Sequence, residues 1–150
     1  MGSSLTNEST KTAYNEKLQE LTAHVMAGGA EKYHEKLEQQ SKLFVRERLR
    51  LLFDEGKYAE DGKFANCEAK DLPADGVVTA TGKIDGQTVC VMANDSTVKA
   101  GSWVASTVEK IIRIQETAEK LSVPLLYLVN YAGARTTDLL DIFRNCLGGC

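Results

Sequence analysis

Apolar residues recur at helical spacing along the opening of the chain, then at strand spacing, then at helical spacing again. Tyr14, Leu18, Leu21 and Val25 repeat at i, i+4, i+7 and i+11, which is one face of a helix. A helix is therefore predicted from about residue 10 to Met26, after a polar, frayed lead-in. Gly28-Gly29 stops it, because glycine accepts the left-handed conformation that closes a helix. A second helix begins near Ala30 and carries Tyr33 and Leu37. A third runs from about Phe44 to Asp54, with Val45, Leu49, Leu52 and Phe53 on one side and Gly56 at its end.

The period then shortens. Gly76 to Ile84 and Gln87 to Ala93 are short, β-branched runs separated by Asp85-Gly86. That pair predicts a hairpin, since a type I′ turn needs positive φ at both central residues. An earlier strand is expected around Phe64. Ser106-x-x-Glu109 reads as a capping box, opening a helix that carries Val108, Ile111, Ile112, Ala118 and Leu121. Pro124 then introduces Leu125 to Val129, a continuous apolar run that predicts a strand buried on both faces. Strand, crossover helix and strand predict a parallel or mixed sheet. A last short helix is expected from Asp138 to about Leu147. The fold class is α/β.

Composition narrows the function classes. The 150 residues are 43% hydrophobic and 26% charged, a globular balance, with a net charge of −3. No basic excess argues for nucleic acid, and the apolar run at residues 124–129 is far too short to span a bilayer. The polar, acid-containing start is neither a secretory signal nor a mitochondrial presequence. Cys67, Cys90, Cys146 and Cys150 form no Cys-x-x-Cys pair, and His24 and His34 lie far from them, so no metal is expected. Reduced thiols in a cytoplasmic setting are the expectation, with Cys67 and Cys90 as small buried hydrophobes.

The segments between the elements carry a resemblance. Lys42-Leu-Phe-Val-Arg-Glu-Arg-Leu49, Leu51-Leu-Phe-Asp-Glu-Gly56, Asp75-Gly-Val-Val-Thr79 and Gly82-x-Ile-x-Gly86 come first. Asp95-Ser-Thr-Val98, Gly101-Ser102, Glu109-Lys-Ile111 and Ala132-Gly-Ala-Arg135 follow in order. Together, over roughly residues 28–143, they resemble the opening of the β (carboxyltransferase) subunits of biotin-dependent acyl-CoA carboxylases and their decarboxylase relatives. The resemblance implies a helical N-terminal arm over residues 1–27. It implies that residues 28–150 are the first, incomplete part of a crotonase-like N-terminal domain of stacked ββα units. It also implies a reaction: carboxybiotin, carried on a partner protein, gives up its carboxyl group to the α-carbon of an acyl-CoA thioester. Such chemistry is served by backbone N–H groups at glycine-rich turns, which stabilise negative charge on oxygen.

By resemblance, Ala132, Gly133, Ala134 and Arg135 help build the acyl-CoA pocket, and the loop 95–102, with Gly101 and Ser102, closes over it. Arg46 and Arg48 are candidates for CoA phosphates, since Arg forks onto phosphate oxygens; a solvated face or local ion pairs is the plainer reading. The resemblance supplies no catalytic side chain and no cofactor held by this chain. Its implied partners are a biotin carboxylase or carrier subunit and other carboxyltransferase subunits. Arg144 to Cys150 departs from the family pattern, and a downstream glycine-rich turn and second half are not in this sequence. The chain alone is expected to be inactive. A non-catalytic module that assembles with full-length subunits is the second reading. A coiled-coil adaptor is a third, but its stripe is too short.

Overall fold

The structure is a computed structural model, and it describes residues 3–68 and 72–130. The turn at 132–135, the helix expected over 138–147, Cys146 and Cys150 lie outside the described residues. Helices α1 (Ser3–Ala27), α2 (Glu31–Gln39) and α3 (Val45–Leu52) lead into strand β1 (Tyr58–Asp61). The hairpin β2 (Val77–Ile84) and β3 (Gln87–Asn94) follows, then helix α4 (Ala105–Leu121) and strand β4 (Leu125–Leu128). The strands lie side by side in the order β1-β2-β3-β4, antiparallel except for the parallel β3–β4 pair.

Strand alternation places one set of residues on each face of the sheet. Val78 and Ala80 of β2, with Val89, Val91 and Ala93 of β3, meet Val45, Leu49 and Phe53 from the α3 side. Val77, Cys90 and Met92 point the other way, against Ile111, Ile114 and Ala118 of α4. The hairpin is as predicted, with φ of 50° at Asp85 and 76° at Gly86. Both Asp54 carboxylate oxygens accept backbone N–H groups across it, from Asp85 at 2.9 Å and Gly86 at 2.8 Å. Gly82 has no freedom to be larger: a Cβ there would sit 2.5 Å from Cδ1 of Phe53.

Several expectations need correction. Helix α1 starts at Ser3, and of its predicted stripe only Val25 is buried, while Tyr14 and Leu18 are 70% and 51% exposed. Helical periodicity was present, but no element among the described residues covers that stretch. The early strand is β1, which ends before Phe64. The α4 cap is not Ser106: the helix begins earlier, behind Val104, and the Thr107 hydroxyl accepts the Val104 N–H at 3.1 Å. Ser106 instead donates to Asn66 at 2.7 Å. Strand β4 is not buried on both faces. It sits at the edge of the described sheet, and Leu126, Tyr127 and Val129 are 37%, 43% and 57% exposed.

A charged pair lies under the N-terminal part of α4. The Lys110 ammonium is 3.0 Å from Oδ2 of Asp75, with both side chains only 3% exposed. This is an ion pair by distance and not an aligned hydrogen bond. Lys110 also donates to the Val77 carbonyl at 2.5 Å. Oδ1 of Asp75 accepts from Thr107 at 2.6 Å and from Asn66 at 3.0 Å. Removing one member leaves the other buried and unmatched, which costs about 3–5 kcal/mol. Lys110→Met and Asp75→Leu are each expected to destabilise the chain on that scale in urea titrations. The double variant should recover a large part of the loss, and strictly additive losses would rule the pairing out.

Candidate functional site

The most constrained part of the molecule is the loop after β3, where the strand leaves the sheet at its C-terminal end. Its geometry begins with the short polar run Asn94-Asp95-Ser96-Thr97, residue types that bond their own backbone in turns. The Asp95 N–H donates to the Gly76 carbonyl at 2.9 Å, fastening the loop to the start of β2. Oδ1 of Asp95 accepts from the Thr97 N–H at 2.9 Å and its hydroxyl at 2.5 Å. The Thr97 Oγ1 in turn accepts the Gly29 N–H at 2.9 Å. A Cβ on Gly29 would fall 1.9 Å from the Thr97 carbonyl oxygen, so the helical arm can approach the loop only with glycine there. Nε2 of His34 lies 3.0 Å from the Ala27 carbonyl and 3.2 Å from that of Gly29, and as a donor it closes the α1–α2 junction.

The fully buried Asn94 joins the loop 95–102 to Asn130, just after β4. Its Nδ2 donates to the Gly101 carbonyl at 3.1 Å. Its Oδ1 accepts the Asn130 N–H at 3.3 Å. The Asn130 side chain donates on to the Ser96 hydroxyl at 3.4 Å. One amide thus ties the loop 95–102 to the end of β4, two residues ahead of Ala132. Gly101 is buried with φ of 70°, and Ser102 follows with a buried Oγ that has no hydrogen-bond partner. Gly76 lets this segment pass, since a Cβ on Gly76 would lie 2.7 Å from the Ser102 carbonyl.

The two arginines part company. Arg46 forks onto Glu60 of β1 at 2.7 and 3.1 Å, with its side chain 10% exposed. Burial works against its charge, but the Glu60 hydrogen bonds and charge prevail and raise its pKa. Its planar face is therefore committed within the fold, and the phosphate role considered for it is not supported by this geometry. The partner is Glu60, from a strand distant in sequence, and not a helical neighbour. Arg48 is half-buried, and burial lowers its pKa. No carboxylate pairs with it among the described residues. Gly101 and Ser102 are brought to the end of β4; Ala132, Gly133, Ala134 and Arg135 lie outside the described residues. Sequence reading missed Asn94, whose position as the last residue of β3 before a run of turn formers was the available signal.

Comparison with known proteins fits this geometry. Residues 36–149 match the family described as carboxyl transferase domain. An uncharacterized carboxylase, YngE, of Bacillus subtilis is 64% identical across 87% of this chain and 25% of its own length. The methylmalonyl-CoA decarboxylase subunit alpha of Veillonella parvula is 40% identical, over 84% of this chain and 26% of that protein. Among solved structures, a transcarboxylase 12S hexamer with methylmalonyl-coenzyme A bound superposes with a TM-score of 0.81 at 32% identity. That match covers 90% of this chain and 28% of the other. The β subunit of geranyl-CoA carboxylase from P. aeruginosa gives 0.66 at 25% identity, over 97% and 26%. The chain spans about a quarter of the length of the relatives it matches. The hairpin, crossover helix and parallel strand are the opening of a crotonase-like carboxyltransferase domain.

Asp95 gives the site a pH signature. Burial raises its pKa above the ordinary carboxylate value; the Thr97 hydrogen bonds and the charges of Arg46 and His34 oppose the rise without cancelling it. In the window between the ordinary and the raised value, the folded chain holds a proton that the unfolded chain has lost. Asp95 therefore favours folding most below that window, and this contribution falls as pH climbs through it. Asp95→Asn keeps an acceptor for Thr97 and is expected to remove that downward slope. Urea titrations across the mildly acidic range would read it, and parallel pH profiles for the two proteins would refute the assignment.

Proposed function

This chain belongs to the carboxyl transferase family, and we propose on that premise that it supplies one wall of an acyl-CoA carboxyltransferase site. In this reading the loop 95–102 and the turn 132–135 flank the thioester. Carboxybiotin arrives on a partner carrier protein and releases CO2, the ureido anion of biotin left by that cleavage takes the α-proton of the acyl-CoA, and the resulting enolate adds to the CO2. The backbone N–H groups that steady the developing negative charge on oxygen would come from the family's downstream glycine-rich turn, with residues 132–135 lining the pocket. The observation that carries the proposal is the Asn94 bridge, which holds Gly101 and Asn130 to one side chain. The free thiols of Cys67 and Cys90 suit a reducing, cytoplasmic setting, and no helix among the described residues is long and apolar enough to cross a membrane.

A chain that matches only about a quarter of its relatives holds part of such a site. Removing one oxyanion donor costs about a hundred- to thousand-fold in rate. Purified chain, supplied with biotin carboxylase and carboxylated carrier, is expected to show no acyl-CoA carboxylation above background. Turnover by material free of host carboxylase would overturn the idea that the remaining residues of the family are needed.

The place of β4 at the edge of the described sheet favours a second reading beside the first: a module that assembles with other carboxyltransferase chains. Leu126, Tyr127 and Val129 are exposed there. Burying a Leu or Val side chain is worth about 1.5–3 kcal/mol, and an exposed strand edge invites pairing. Sedimentation at micromolar concentration is expected to show self-association, weakened by Tyr127→Lys. A sharp monomer with slow amide exchange through residues 125–129 would show that the strand is already covered.

A further inference from the structure

Two lysines stand beside the candidate loop, Lys36 on α2 and Lys42 in the segment after it. A cleft of about 190 Å³ lies where α2, the segment after it, the loop and the end of β4 converge. Its walls include Tyr33, Lys36, Gln40, Lys42, Ser96 and Asn130, and no acidic residue is among its described lining residues. Lys36 and Lys42 are exposed, and neither has a carboxylate partner among the described residues. Arg46, by contrast, is spent on Glu60. Two unpaired ammonium groups, faced by hydroxyl and amide groups able to donate, form a surface suited to an oxyanion carrying more than one charge. Ser96 and Asn130 are also the pair that links the candidate loop to the end of β4. The cleft thus borders the candidate loop.

We propose that this cleft receives phosphate groups of coenzyme A, with Lys36 and Lys42 supplying the charge and Gln40, Ser96 and Asn130 supplying neutral contacts. The assignment rests on the acyl-CoA reading of the neighbouring loop. It makes α2 and the segment after it part of the ligand site, with the phosphates bridging α2 and the loop.

The test is an NMR titration of the isotope-labelled 150-residue chain at millimolar ligand. The probes are coenzyme A, propionyl-pantetheine, which has no phosphate, and inorganic pyrophosphate. Coenzyme A is expected to bind about tenfold more tightly than propionyl-pantetheine, in keeping with charge-assisted hydrogen bonds, and to weaken with added salt. The double variant Lys36→Met, Lys42→Met should reduce coenzyme A to the level of propionyl-pantetheine, while Lys36→Arg, Lys42→Arg retains most of the affinity. Both lysines are exposed, so the fold should survive either pair. If propionyl-pantetheine shifts Gly101 and Ser102 but the Met variant binds coenzyme A unchanged, the phosphate cleft is overturned and the acyl-CoA site stands. If coenzyme A and pyrophosphate bind through the lysines while no thioester shifts Gly101 or Ser102, the cleft stands and the acyl-CoA site falls. No response to coenzyme A at millimolar concentration overturns both.

Discussion

Lys110 and Asp75 face each other inside the protein, where an ion pair survives only if its remaining hydrogen-bonding capacity is met. Here most of it is: the Val77 carbonyl accepts a hydrogen bond from the lysine, and Thr107 and Asn66 donate to the carboxylate. Those partners come from β2, α4 and the segment after β1. The pair therefore fixes how far α4 stands along the strands. It also sets the position of Gly76, the next residue, against which Gly101 and Ser102 pass. A shift of the helix would unseat the loop, and with it the contact between Asn94 and Gly101. Apolar packing on the α4 face is non-directional, and the charged contact adds a directional constraint on the position of the helix.

From that fixed frame the site is built largely of backbone. Asp95, Thr97 and Gly29 form a chain of hydrogen bonds from the sheet to the helical arm, and Asn94 forms a second from the loop to β4. In both chains the side chains are engaged in holding backbone: Asp95 binds the Thr97 N–H, Thr97 the Gly29 N–H, and Asn94 both Gly101 and Asn130. Such an arrangement fixes position.

Much of this was legible in the sequence because it depends on local rules. The Asp85-Gly86 turn, the alternating runs on either side and the α4 periodicity each follow from one or two dihedral or burial constraints. What failed depends on distant partners. Tyr14 and Leu18 have the spacing of a buried stripe, but spacing cannot say whether another element will come to cover it. Ser106 looked like a cap, yet Thr107 is drawn back to the helix start because it also serves Asp75, some thirty residues earlier. Arg46 looked available because its partner Glu60 sits on a strand whose place was not foreseen. Family resemblance carried the functional reading where periodicity and composition were silent.

The Asp54 clamp has a bearing on how such a chain comes to be ordered. Its two hydrogen bonds reach the hairpin turn, so α3, β1, β2 and β3 are tied together by contacts that all fall between Val45 and Asn94. Antiparallel neighbours joined by a two-residue turn demand little loop-closure entropy, whereas β4 can pair only after the whole of α4 has been laid across the sheet. On a ribosome the first three strands have every partner they need before β4 has been translated. The edge that β3 presents in that interval has the same hydrogen-bonding pattern as the one β4 later fills, and any other extended segment that reaches it first is a competitor for the same place.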